Sequence, residues 1–101
     1  MLHDPSETDL QVTVDAHVVS VGGEIDMDSV ELLRAGLIEA ARAGHHEVAV
    51  DMSAITFIDS TGLRELVDFR QQGHRVTITN PSESVIRLLR LTATGPLFGL
   101  D

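Results

Sequence analysis

The first patterned stretch of the chain alternates. Leu10, Val12 and Val14 are apolar and Gln11 and Thr13 between them are polar, which is the period of a half-buried strand. Asp15 and Ala16 make a short turn. His17 to Val21 is a second β-rich run, ending in Gly22-Gly23, and the two runs predict an antiparallel hairpin. The period then changes. Val30, Leu33, Leu37 and Ala41 recur at helical spacing, with Ile38 widening the stripe. Asp28 suits the N-cap, Glu31 three residues later suits a capping box, and Gly44 suits the C′ position that ends the helix. Val48-Ala49-Val50 is a continuous apolar run of the kind that forms a central strand covered on both faces.

Met52 to Asp59 reads as a loop with apolar members, Ile55, Phe57 and Ile58. A second helix starts at Ser60 or Thr61, carries Leu63, Leu66, Val67 and Arg70 along one side, and ends at Gly73. Val76 to Thr79 is a further strand. Asn80 suits the N-cap of a third helix, with Pro81 at its first position, Glu83 at its third, and Val85, Ile86, Leu88, Leu89 and Leu91 on its apolar face. Gly95-Pro96 interrupts regular structure beyond the third helix, and Leu97 and Phe98 are expected to fold back on the core. The order β-β-α-β-α-β-α predicts an α/β domain with a mixed sheet and helices packed against it. Crossovers between parallel strands are expected to be right-handed. Residues 1–8 are polar and read as a flexible N-terminal segment; residues 9–101 read as one domain.

Composition narrows the function classes. At 101 residues and 43% hydrophobic, the chain can bury a core without a disulfide or a metal. It has no cysteine, which removes thiol catalysis and Cys-ligated zinc. Its net charge of -9 repels phosphate backbones and anionic lipid, and its seven arginines are scattered, so direct nucleic-acid binding is not expected. A basic protein surface is the more natural partner. The opening residues have neither the basic nor the apolar region of a secretory signal. No apolar run approaches the ~18 residues of a membrane helix. A cytoplasmic protein without membrane insertion is expected.

The candidate chemistry lies where a strand gives way to a helix, in Ile58-Asp59-Ser60-Thr61-Gly62-Leu63. Helix capping alone accounts for Asp, Ser and Thr there, because their oxygens accept orphan backbone N–H bonds. Gly62 is harder to place, since Gly weakens a helix unless something must approach its backbone closely. Asp28 is most simply a cap, and Asp26 is either a turn residue or an acid placed beside Ser60. Metal binding is not expected: His45 and His46 are adjacent, and adjacent helical residues do not face one another. Catalysis is not expected either. There is no Gly-x-Ser-x-Gly elbow, and His45, His46 and His74 belong to segments distant from Ser60. Gly22-Gly23 lacks the Lys-Ser/Thr of a phosphate loop, so no cofactor is assigned.

The ordered set of segments carries more. Gly23-Glu24-Ile25-Asp26, Val48-Ala49-Val50-Asp51-Met52-Ser53, Phe57-Ile58-Asp59-Ser60-Thr61-Gly62-Leu63, Val76-Thr77-Ile78-Thr79-Asn80-Pro81-Ser82 and Leu88-Leu89-Arg90-Leu91-Thr92 succeed one another along nearly the whole chain. Together they resemble the STAS domain family, in particular the anti-sigma factor antagonists. That resemblance implies a four- or five-stranded mixed sheet with helices packed on one face. It implies that Ser60 is the phosphorylated serine, and that the partner meets Asp26, Asp59, Ser60, Thr61, Gly62 and Leu63. It implies as partners an anti-sigma factor that is also a GHKL-type serine kinase, and a serine phosphatase that reverses its action. The second helix looks about one turn shorter than in relatives, which bears on partner choice more than on fold. Two other readings stand beside this one. The first is an unswitched STAS accessory subunit of a membrane transport or signalling complex. The second is a small hydrolase using Ser60.

Overall fold

Strands β1 (Leu10–Asp15) and β2 (Val18–Ile25) form the expected antiparallel hairpin, closed at Ala16-His17 with Ala16 in the left-handed region (φ 54°). The computed structural model describes residues 9–100, so the expected flexible segment 1–8 lies outside the described residues, as does Asp101. Helix α1 (Val30–Arg42), strand β3 (Glu47–Ile58), helix α2 (Ser60–Gln71), strand β4 (Arg75–Thr79) and helix α3 (Glu83–Thr92) come next, then a short 3-10 turn at Gly95–Phe98. The four strands lie in the order β1-β2-β3-β4; β2 and β4 both run parallel to β3.

One face of the sheet is apolar. Val19, Val21 and Ile25 of β2, Val48, Val50, Met52 and Ile55 of β3, and Val76 and Ile78 of β4 are all buried. Helix α1 covers that face with Val30, Leu33, Leu37 and Ala40, and α2 covers it with Leu63, Leu66 and Phe69. Fully burying a leucine such as Leu33, Leu37 or Leu66 contributes about 1.5–3 kcal/mol. The opposite face exposes Thr13, Ser53 and Thr77 and leaves Ala49 half-buried, so the central strand is covered on one face and not on both as its apolar run suggests. Helical packing on one face is thus decided by strand alternation, and Phe98 folds back into the core as expected while Leu97 is exposed.

Several boundaries differ from the sequence expectation. β2 does not stop at Gly22-Gly23 but bends through it to Ile25. Gly23 takes φ +104°, and a side chain there would collide with the Asp9 carbonyl, which accepts from Glu24 N–H at 2.7 Å. The segment expected to be a loop after Met52 is strand: β3 runs twelve residues, to Ile58. Its register against β2 slips twice, between Ser20 and Gly22 and between Gly23 and Glu24, each time with an extra residue on β3. Inward residues therefore fall at Val48, Val50, Met52, Ile55 and Ile58, and the two-residue period becomes three. That broken alternation gives the segment its irregular look in the sequence.

The apolar stripes shift slightly too. In α1 the buried set is Val30, Leu33, Gly36, Leu37 and Ala40, while Ala41 is half-buried and Ile38 exposed. In α2, Phe69 takes the core place expected of Arg70, whose Nε instead donates to the Leu97 carbonyl at 3.1 Å. In α3, Val85 and Leu89 are buried but Leu91 is 78% exposed. That helix is capped by Ser82, not Asn80; Ser82 Oγ accepts from Val85 N–H at 3.4 Å. Asn80 sits in the left-handed region (φ 49°) and turns the chain out of β4. Because β4 ends opposite Asp51, the rest of β3 has no strand on that side. Helix α3 is tied to it instead, through Ser82 N–H to the Met52 carbonyl and Ser84 Oγ to the Thr56 carbonyl.

Candidate functional site

The parallel strands β2 and β3 end level with one another: Ile25 pairs with Ile58, and Asp59 N–H donates to the Ile25 carbonyl at 3.2 Å. Asp26 and Asp59 are each the next residue, so the two acids leave the sheet side by side. Ser60 comes at once as the first residue of α2. The carboxyl ends of parallel strands are where α/β sheets place ligands and partners. Asp26 and the Asp59–Leu63 segment are brought to one end of the molecule, as expected.

Their jobs divide clearly. Asp59 is the cap of α2: its extended backbone leads into the helix and its Oδ1 accepts from Thr61 N–H at 2.9 Å. Ser60, next to it, is exposed, and among the described residues its hydroxyl makes no hydrogen bond. Ser60 therefore carries no capping duty, and its oxygen is free for chemistry.

Gly62 and Leu63 are buried and serve the site by seating the helix. A side chain at Gly62 would lie 2.6 Å from Ile25 Cγ2 and 3.1 Å from Ile58 Cγ1. The close approach that calls for glycine is thus the protein's own strand ends, which press against the first turn of α2. The surface around Ser60 is a shallow concavity lined by Ser60, Thr61, Leu63, Arg64, Val67 and Asp68.

The loop that carries Asp26 is built differently from expectation. Asp28 does not cap α1. Asp26 Oδ1 accepts from Asp28 N–H at 3.0 Å and Ser29 N–H at 3.1 Å, which closes a local turn. Ser29 occupies the cap position but turns its buried hydroxyl backwards, donating to the Glu24 carbonyl at 2.8 Å and accepting from Asp26 N–H at 3.0 Å. Sequence reasoning misses Ser29. Its signal is the Asp-x-x-Ser spacing from Asp26, the reverse of a capping box. On the other side of the site, α1 and α2 are joined by Arg34 and Glu65. Arg34 Nε donates to Glu65 Oε1 at 2.6 Å and Nη2 to Oε2 at 3.3 Å. The Glu65 carboxylate holds the Arg34 guanidinium pKa above its ordinary value, first by that hydrogen bond and then by charge.

The described histidines lie elsewhere. His17 precedes β2, His45 and His46 precede β3, and His74 precedes β4, so all four sit at the amino ends of parallel strands. Ser60 lies just past the carboxyl end of β3. The His17 and His45 rings approach to 6.1 Å, and His74 stacks on Phe69 at 4.2 Å. No described histidine accompanies Ser60 as a base, and no group of three or more His, Asp or Glu among the described residues is arranged to hold a metal. Among those residues no helix is long and apolar enough to cross a membrane.

A family model for the STAS domain matches residues 7–100. The chain belongs to the STAS domain family. It is 33% identical over 91 residues to the anti-sigma-B factor antagonist of Staphylococcus epidermidis, covering 86% of this chain and 84% of that relative. Among solved structures, an anti-sigma factor antagonist from Mycobacterium paratuberculosis superposes with a TM-score of 0.78 at 25% identity, over 96% of this chain and 87% of that one. The Bacillus cell fate determinant SpoIIAA in its phosphorylated form shares the fold with a TM-score of 0.57 at 24% identity, over 87% of this chain and 86% of its own. A mixed four-stranded STAS sheet with three helices is therefore the architecture of the described residues.

Proposed function

We propose that the protein is an anti-sigma factor antagonist, a cytoplasmic binding module and not an enzyme, switched by phosphorylation of Ser60. The unphosphorylated form binds an anti-sigma factor, which frees the sigma factor for transcription. The anti-sigma factor is in turn a GHKL-type serine kinase that transfers the γ-phosphoryl group of ATP to Ser60 Oγ, releasing ADP and the hydroxyl proton. The phosphorylated form lets go, and a serine phosphatase restores binding. The relatives named as anti-sigma factor antagonists support the role. The observation that carries the switch is the division of labour between neighbours: Asp59 caps α2, leaving the exposed Ser60 hydroxyl unbonded among the described residues.

The physics of the switch comes from that placement. A phosphate adds about -1.5 to -2 charges at neutral pH. The N–H groups and dipole at the start of α2 accommodate that charge, so the fold survives it. The interface does not. Added bulk and the cost of desolvating a phosphate crowded by Asp26 and Asp59 act against the partner. A loss of about 3–4 kcal/mol weakens binding several hundredfold.

Mixing the protein with its anti-sigma factor and ATP tests this, read by intact and fragment mass spectrometry. One added phosphate at Ser60 with dissolution of the complex is expected. Ser60→Ala is expected to bind and to stay unlabelled; full ATP-dependent labelling of Ser60→Ala would sink the assignment.

A further inference from the structure

The concavity beside Ser60 holds three polar groups at intervals of four residues: Ser60, Arg64 and Asp68. Residues four apart on a helix are neighbours on one face. A hydroxyl, a guanidinium and a carboxylate therefore stand in a ladder along α2, with Arg64 one turn from each of the others. Arg64 is exposed and, among the described residues, its side chain has neither an ion pair nor a hydrogen bond. The adjacent acid, Glu65, is already engaged by Arg34 from α1. Arg64 is thus an unpaired cation within one helical turn of the position that receives the phosphate.

Resting on the reading that Ser60 is phosphorylated, we propose that Arg64 is the internal counter-ion of phosphorylated Ser60. The guanidinium turns back along the helix toward the phosphate and away from Asp68. A phosphate with close to two charges and three acceptor oxygens is a better partner for the planar N–H fork than a single carboxylate one turn the other way. Phosphorylation then alters two charges at once. It places an anion at position 60 and withdraws the Arg64 cation from the surface that the partner meets.

Phosphoserine incorporated at position 60 during translation tests this without any kinase, so failure of the enzymatic labelling above and failure of this pairing are read separately. The probe is the phosphorus resonance of that residue, titrated with pH. Asp26 and Asp59 at the strand ends and Asp68 on α2 push the second ionisation of the phosphate up; Arg64 pulls it down. Arg64→Gln is expected to raise that pKa by about 0.3 unit, the size an exposed pair four residues apart gives. Arg64→Lys restores most of the difference, Asp68→Asn lowers the pKa below that of the unmodified sequence, and ~1 M salt erases the contrast. Identical titrations for the unmodified sequence and Arg64→Gln at low salt would overturn the pairing.

Discussion

The two halves of β3 are made of similar residues and do different work. From Glu47 to Asp51 the strand pairs with β4 in unbroken register, and from Ala49 to Asp51 it is paired with β2 as well. From Met52 to Ile58 it carries two register slips, loses its β4 neighbour, leans on α3 and ends at Asp59-Ser60. The regular half is where the strand has neighbours on both sides. The bulged half turns the strand end so that Asp59 can cap α2 and present Ser60. Bulges near functional sites re-aim side chains in this way. Regularity marks the part of the strand that holds the fold, and its breakdown marks the part that aims the site.

Substitutions sharpen that contrast. Met52 is fully buried at the junction of the two halves. Met52→Ala is expected to cost about 2–5 kcal/mol in urea denaturation through the cavity it leaves, while the folded fraction keeps its Ser60 chemistry. Gly62→Val acts within the site half. Its side chain would meet Ile25 and Ile58 at the strand ends, with an expected loss of about 1–3 kcal/mol and a displaced α2, seen as weakened partner binding beyond what unfolding explains. Asp59→Ala removes the cap and is expected to cost about 1 kcal/mol, whereas Asp59→Asn keeps both the cap and the melting temperature.

The smallest effect falls on the regular half. The Ser53 N–H, then the Ser53 hydroxyl and the Asn80 amide, hold the Asp51 carboxyl below the ordinary carboxylate range. A depressed folded pKa means that its stabilisation is complete above the unfolded value, near 3.9, and is lost as pH falls through the folded one. Acid titration of stability for Asp51→Asn is expected to lack that part of the low-pH decline.

Legibility in the sequence tracks the same division. β1 and β4 are readable because period two persists there, and the Val48-Ala49-Val50 run because it is continuously apolar. The candidate site segment Phe57-Ile58-Asp59-Ser60-Thr61-Gly62-Leu63 stands out through its resemblance to the STAS family, since local physics alone reads its Asp, Ser and Thr as helix caps. The second half of β3 is not readable, because inward positions at Met52, Ile55 and Ile58 keep no strand period. Asp28 and Asn80 look like caps because capping preference is local. Other short-range bonds instead give Asp26 the turn, aim Ser29 at Glu24, and hand the α3 cap to Ser82.

The most direct measurement compares the protein with and without phosphate at Ser60, taking thermal unfolding and calorimetric affinity for the anti-sigma factor on the same samples. The expected result is an unchanged cooperative melt with affinity reduced several hundredfold, placing the switch at the interface. Equal affinity for the two forms, or loss of the native melt on phosphorylation, would contradict a surface switch at Ser60.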